Sequence, residues 1–374
     1  MYALIRTLAL AVAVALPVAA QAATAGAATR PVGHVFVVLL ENENESVTFG
    51  PDSPAPYLAR ELPARGALLP NYHAVTHLSL GNYIALISGQ GSNLETQADC
   101  QVYSDFPALG LVDADGQALG QGCVYPPSVA TVADQLEARG LTWKGYMEDM
   151  GNDPARDGGT TCAHPPLNAP DPTQQAEAGD QYAARHNPFV YFHSIIDEPG
   201  CAERVVPLDR LAADLQSSRT TASFNLVTPN LCHDGHDEPC ADGEPGGLAT
   251  ADAWLRRWIP RILGSPAFKR DGLLLVTFDE AEAQGASADA TACCNQAQFP
   301  NTPNNGGPTP GPGGGRVGAV VVGPSVRPGT VSTTAYNHFS FLRTVEGFFG
   351  LPYLGYARSP DPGSFGADVL AGAR

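Results

Sequence analysis

Apolar and polar positions alternate along this chain on two length scales. Residues 35–40 (VFVVLL) form a continuous apolar run rich in β-branched side chains, the pattern of a strand covered on both faces. Runs of similar character recur at 142–147, 223–227, 272–278 and 317–322. Between them, apolar residues fall at helical spacing in 128–139 (SVATVADQLEAR), with Ser128 as a cap and Gly140 as a stop. Segments 56–62, 82–89, 208–215, 249–262 and 339–349 also read as helices. Strands interleaved with helices predict an α/β fold, a three-layer α/β/α sandwich around a mostly parallel sheet, with 35–40 as its central first strand. There is no internal repeat.

Two segments, 149–180 and 283–315, are too dense in Gly and Pro for helix or sheet and read as long loops. Loops of that length in a compact domain are functional or mobile. The second follows Asp279-Glu280 directly, which makes it either a rim over the chemistry of those acids or a surface insertion. Neither marks a domain boundary, so residues 23–374 are expected to form one domain.

Residues 1–22 carry Arg6, then the apolar run LALAVAVALPVAA, and close on Ala20-Gln21-Ala22, a small-x-small cleavage signature. This reads as a secretory leader; a retained anchor needs about 20 apolar residues, and Pro17 and Gln21 shorten the run. No later segment is long and apolar enough to span a bilayer. A secreted or periplasmic location follows. Eight cysteines fit that compartment as a disulfide framework. Sequential pairing is the simplest connectivity and makes Cys293-Cys294 a vicinal pair. The formal charge of -17 argues against a nucleic-acid or anionic-membrane surface. An anionic substrate would need cations or local dipoles to reverse the field at its site.

Polar residues able to do chemistry stand just past the apolar runs. Glu41 and Asn42 follow the first strand, and their oxygens are hard donors suited to a divalent cation. Asp279 and Glu280 end the 272–278 strand as adjacent like charges, a costly arrangement unless a cation or solvent separates them. Asp234 and His236 lie two apart between Cys232 and Cys240, where a disulfide would hold them in place; His233 is a competing ligand. Ser79 sits where a loop runs into an apolar helix, so the positive end of the helix dipole can polarise its hydroxyl. It is the candidate nucleophile. Asn82 could donate to a phosphoryl oxygen, while His73 and His77 are assigned no role. Each feature alone has a plainer reading as a turn, a cap or a solvated pair; together they suit metal-assisted attack on a phosphoryl ester.

Seven segments in order carry a resemblance: LLENE, THLSLGNYIALISG, YMEDM, RHNPFVYF, TPNLCHDGHD, VTFDE and YNHFSFLRTVEGFFGL. They are similar to the phosphoesterase family of acid phosphatases and nonhaemolytic phospholipases C, within the alkaline phosphatase-like superfamily. The resemblance implies an α/β/α sandwich with a metal-supported Ser or Thr nucleophile. It implies Glu41, Asn42, Asp279 and Glu280 as ligands of a metal touching Ser79, and Asp234, His236 and His338 as a second metal group, drawn close together. His186 in RHNPF resembles a histidine near the family's phosphate pocket. Leu78 and Gly81 depart from prolines common in related chains, and Asp279-Glu280 departs from the Asp-His of two-zinc relatives, so one divalent ion is expected and a second is possible.

The expected function is a secreted phosphoric-ester hydrolase acting on a small phosphate ester. A phosphomonoesterase with an acid optimum comes first, because the chain is short beside the larger phospholipase C relatives. A phosphodiesterase or phospholipase C is the alternative, and a noncatalytic binding protein on the same scaffold is the other class.

Overall fold

A computed structural model describes residues 32–107, 110–361 and 363–371. The proposed leader, residues 1–22, lies outside them. Among the described residues, ten strands form two sheets: β1 (His34–Leu40), β2 (Ala67–Leu69), β3 (Tyr72–His73), β4 (Trp143–Met147), β5 (Val205–Pro207), β6 (Phe224–Thr228), β7 (Gly272–Phe278), β8 (Ala319–Val322), β9 (Thr330–Val331) and β10 (Tyr336–Asn337). The large sheet runs β5-β4-β6-β1-β7-β8-β2-β9, and β3 pairs with β10 in a small second one.

β1 lies at the centre because all seven of its residues are buried, and an apolar run of this kind needs a parallel strand on each edge and cover on each face. It pairs with β6 on one side and with β7 on the other, from His34 opposite Gly272 to Leu40 opposite Phe278. The five strands from β5 to β7 are parallel. The expectation of a mostly parallel sheet holds, with β8 antiparallel to both β7 and β2.

Two groups of helices cover the sheet. Ser79–Ser88, Val132–Ala138 and His338–Phe349 pack together, while Gly247–Gly264 packs with Pro266–Asp271 and the turn Tyr57–Glu61. Phe36 of β1 meets Phe268 of the second group at 6.0 Å between ring centroids. Gly247–Gly264 buries Leu248, Ala251, Trp254, Leu255, Trp258, Ile259 and Ile262, one stripe at helical spacing. Ser79–Ser88 is buried on every side, so its apolar residues each contribute about 1.5–3 kcal/mol of burial. Gly81 is required there, since a Cβ would collide with Ser92 Oγ and Thr76. Val132–Ala138 starts later than expected. Thr131, not Ser128, caps it through a reciprocal bond with Asp134, which a Ser128 cap could not form at that spacing.

The cysteines pair sequentially, Cys100–Cys123, Cys162–Cys201, Cys232–Cys240 and Cys293–Cys294. The 283–315 loop is packed against the rest of the fold. Gly314 lies so close to the Thr76 carbonyl that no Cβ would fit, and the Asn305 carbonyl accepts from Thr76 Oγ1 at 2.7 Å. No helix among the described residues is long and apolar enough to cross a membrane.

Candidate active site

The in-register pairing of β1 with β7 delivers Glu41 and Asp279 side by side at the carboxyl end of the sheet. Asp279 N–H donates to the Leu40 carbonyl at 2.9 Å, and Asn42 N–H donates to Asp279 Oδ1 at 3.1 Å. Asn42 adopts a left-handed φ of 54° at this crossing. Asp234 arrives from the loop after β6, its carbonyl accepting from Glu41 N–H at 2.9 Å.

Ser79 is the first residue of its helix and donates its hydroxyl to Glu41 Oε1. On the other side of that carboxylate, His186 Nε2 lies 3.0 Å from Glu41 Oε2, and its Nδ1 lies 3.8 Å from Asp234 Oδ2. The imidazole stacks flat on Tyr83, with 5.1 Å between centroids. Burial acts to raise Glu41, but the facing His186, with Arg185 and the Ser79 hydroxyl, outweighs it and brings this carboxyl down to about 2. Burial and then the Glu41 charge push Asp234 and Asp279 well above the usual carboxylate range.

This crowding leaves polar atoms without partners. Glu41 Oε2, Asn42 Oδ1, Asp234 Oδ2, Asp279 Oδ2 and both ring nitrogens of His186 are buried and make no aligned hydrogen bond. Such orphans are costly. Glu41, His186 and Asp234 each offer a ligand atom, all within 4.8 Å of one another. These oxygen and imidazole donors fit a divalent cation, which would satisfy the orphans and relieve the carboxylate repulsion.

The other expected site residues are placed differently. Asn82 does not face the cavity, because its amide is used in shaping the nucleophile loop. Its Oδ1 accepts from Val75 and Thr76 N–H at 3.0 and 3.2 Å, and its Nδ2 donates to the Thr76 carbonyl at 2.9 Å. His338 has both ring nitrogens engaged, with Nε2 donating to the Asp279 carbonyl at 2.7 Å and Nδ1 accepting from Tyr72 at 3.2 Å. It braces the acid strand, and Asp234, His236 and His338 do not form a three-ligand cluster within 4.8 Å among the described residues. His236 stands at the cavity mouth, half exposed, with Nδ1 3.3 Å from Asp237 Oδ1. Glu280 lines the cavity but turns its carboxyl to His77. Burial raises Glu280 and lowers His77, which favours the neutral form of each.

The cavity over Ser79 measures about 190 Å³, and Glu282, with Ala283 and Gln284 of the long loop, forms part of its wall. Three of its lining residues are absent from the sequence expectation, Asp99, Arg185 and Glu282. Asp99 Oδ1 accepts from Leu80 N–H at 2.9 Å, capping the Ser79 helix that Leu78 cannot cap. Arg185 had one visible signal: a basic residue directly beside His186 in a strongly acidic chain.

Residues 41–352 match the Phosphoesterase family. A phosphate-repressible acid phosphatase of Penicillium chrysogenum is 25% identical over 298 residues, 79% of this chain and 55% of that protein. A phosphatidylinositol-3-phosphatase of Mycobacterium tuberculosis is 29% identical over 342 residues, 91% of this chain and 85% of that one. The chain thus spans about half the length of its fungal relative. Among solved structures, a protein in the alkaline phosphatase superfamily from Vibrio parahaemolyticus superposes with a TM-score of 0.44 at 14% identity, covering 86% of this chain and 69% of that one.

Proposed function

Since this chain belongs to the Phosphoesterase family, we propose that it is a secreted, divalent-metal-dependent phosphomonoesterase with Ser79 as nucleophile. The observation that carries the reading is the Ser79 hydroxyl donating to Glu41, beside buried ligand atoms that make no aligned hydrogen bond. Both relatives' names describe removal of phosphate.

Glu41, Asn42, Asp234, His186 and Asp279 would hold the cation. When bound, it supplies charge that lowers the hydroxyl pKa and neutralises the transferring group. Ser79 Oγ attacks phosphorus in line, its hydroxyl proton passing to solvent water, and the alcohol leaves opposite. His236, whose pKa the Asp237 hydrogen bond raises, protonates the departing alkoxide at the cavity mouth. Water then cleaves the phosphoserine and releases inorganic phosphate. Glu41 stays ionised in mild acid and His236 stays protonated there, which supports an acidic working range. Four disulfides and the leader-like N-terminus support secretion.

The test is turnover of p-nitrophenyl phosphate against bis(p-nitrophenyl) phosphate, before and after exhaustive chelation. Monoester turnover that chelation abolishes is expected. No turnover of either ester would leave a binding protein on the same scaffold; diester turnover alone would make it a phosphodiesterase.

A further inference from the structure

The mechanism leaves one strong group without a task. Among the described residues, Arg185 is the only arginine or lysine lining the cavity, in a protein of formal charge -17. Its side chain is 13% exposed, with Nε 3.9 Å from Asp99 Oδ2 and Nη1 donating to the Gln174 carbonyl at 3.2 Å. Nη2 makes no hydrogen bond among the described residues. The guanidinium is thus largely buried, with one edge that the protein does not use. Asp99 also caps Leu80, the residue after Ser79, so one carboxylate ties the guanidinium to the helix turn that carries the nucleophile.

We propose that Arg185 binds the non-bridging oxygens of the phosphoryl group and thereby selects dianionic monoesters over diesters. This rests on the phosphoester reading and specifies its substrate class. A guanidinium edge matches two phosphate oxygens in one plane and is the strong form of such a contact. A monoester dianion presents three non-bridging oxygens, enough for the acid and Ser79 side of the cavity and for Arg185 together. A diester has two, carries one charge, and sets an uncharged ester oxygen and its substituent in the third position, inside a cavity of about 190 Å³. Burial acts to lower the Arg185 pKa, but nearby negative charge, Asp99 and Glu41 foremost, outweighs it and keeps the guanidinium charged.

The experiment compares the full-length protein with Arg185→Ala and Arg185→Lys. Monoester kcat/KM is expected to fall roughly 10²-fold or more in Arg185→Ala, as when a donor to a developing oxyanion is removed. Diester turnover should fall much less, and added guanidinium ion should restore part of the monoester rate. Inorganic phosphate binding, read by titration calorimetry, should weaken in both variants, least in Arg185→Lys, which keeps the charge without the fork. Equal losses for both esters, or unchanged phosphate affinity in a folded variant, overturn the assignment. If Arg185→Ala does not fold, Arg185→Lys carries the same comparison. Absence of wild-type turnover would defeat the phosphoester reading alone, because the phosphate titration still decides whether Arg185 binds the anion.

Discussion

Ser79 and Glu41 meet at the top of the sheet, the hydroxyl of a helix's first residue donating to the carboxylate that follows the central strand. Neither is near the other in sequence, and both are buried. Ser79→Ala is expected to lower turnover on the order of 10³-fold or more, while circular dichroism and cation binding stay close to wild type. Thr76 cannot substitute, since its hydroxyl is committed to the His77 and Asn305 carbonyls. Retained activity in Ser79→Ala would move the nucleophile outside this loop.

A divalent cation should raise the melting temperature, and chelation should lower it. At a hundredfold excess over Kd the gain is about 2.7 kcal/mol. Asp234→Asn should abolish the cation-induced shift with little change in the chelated protein, because burial and the Glu41 charge favour the protonated form of Asp234 when no cation faces it. The shift should also shrink as pH falls, as protons compete with the cation for Asp234 and Asp279. An undiminished shift in Asp234→Asn would remove this residue from the ligand set.

His236→Gln should lower kcat roughly 10²-fold for esters with poor leaving groups and much less for p-nitrophenyl phosphate. The high-pH limb that a raised imidazole pKa imposes on the wild type should disappear. Equal losses for both leaving groups would return His236 to the role of a ligand.

The two readings of His338 are also separable. As a brace between Tyr72 and Asp279 it should cost about 2–4 kcal/mol when replaced by Ala, through two buried groups left unpaired. The number of bound ions should not change. Loss of one ion per chain, measured by elemental analysis, would make it a ligand.

Glu346 is buried in the last helix, where burial raises its carboxyl to about 8 despite Arg343 and Arg358. A raised folded-state pKa gives stability that is present below the unfolded value near 4.5 and is lost as pH rises through about 8. Melting temperature should therefore decline between pH 5 and 9. Glu346→Gln, which keeps an acceptor for Leu354 N–H, should flatten that decline. Parallel curves would show that Glu346 does not titrate in this range.

The parallel strands were legible because a strand covered on both faces is apolar along most of its length, as β1 and β7 are. The acids at their ends were legible for the same reason, each being the first polar residue after such a run. Position along the chain carries less about where a side chain turns. Asn82 and Ser79 share one helical segment, yet a buried loop needed the amide for its own N–H and carbonyl groups. His338 followed a similar course, because the Asp279 carbonyl and the Tyr72 hydroxyl claimed both nitrogens. Arg185 stayed hidden because its partners, Asp99 and Gln174, come from separate loops with no periodicity to announce them.

The pairing of β3 with β10 joins the segment just before Ser79 to residues near the end of the fold, and the Tyr72–His338 contact bridges 266 positions. During synthesis, Glu41, Ser79 and Asp279 are all made before the strand and histidine that steady them exist. We expect a nascent or truncated chain ending before residue 336 to be inert toward phosphate esters, and rapid cleavage by protease near residues 71–79 would report the missing support. Hydrolytic competence would then arrive as a late, all-or-none event in the life of each molecule, after the chain has committed to its destination.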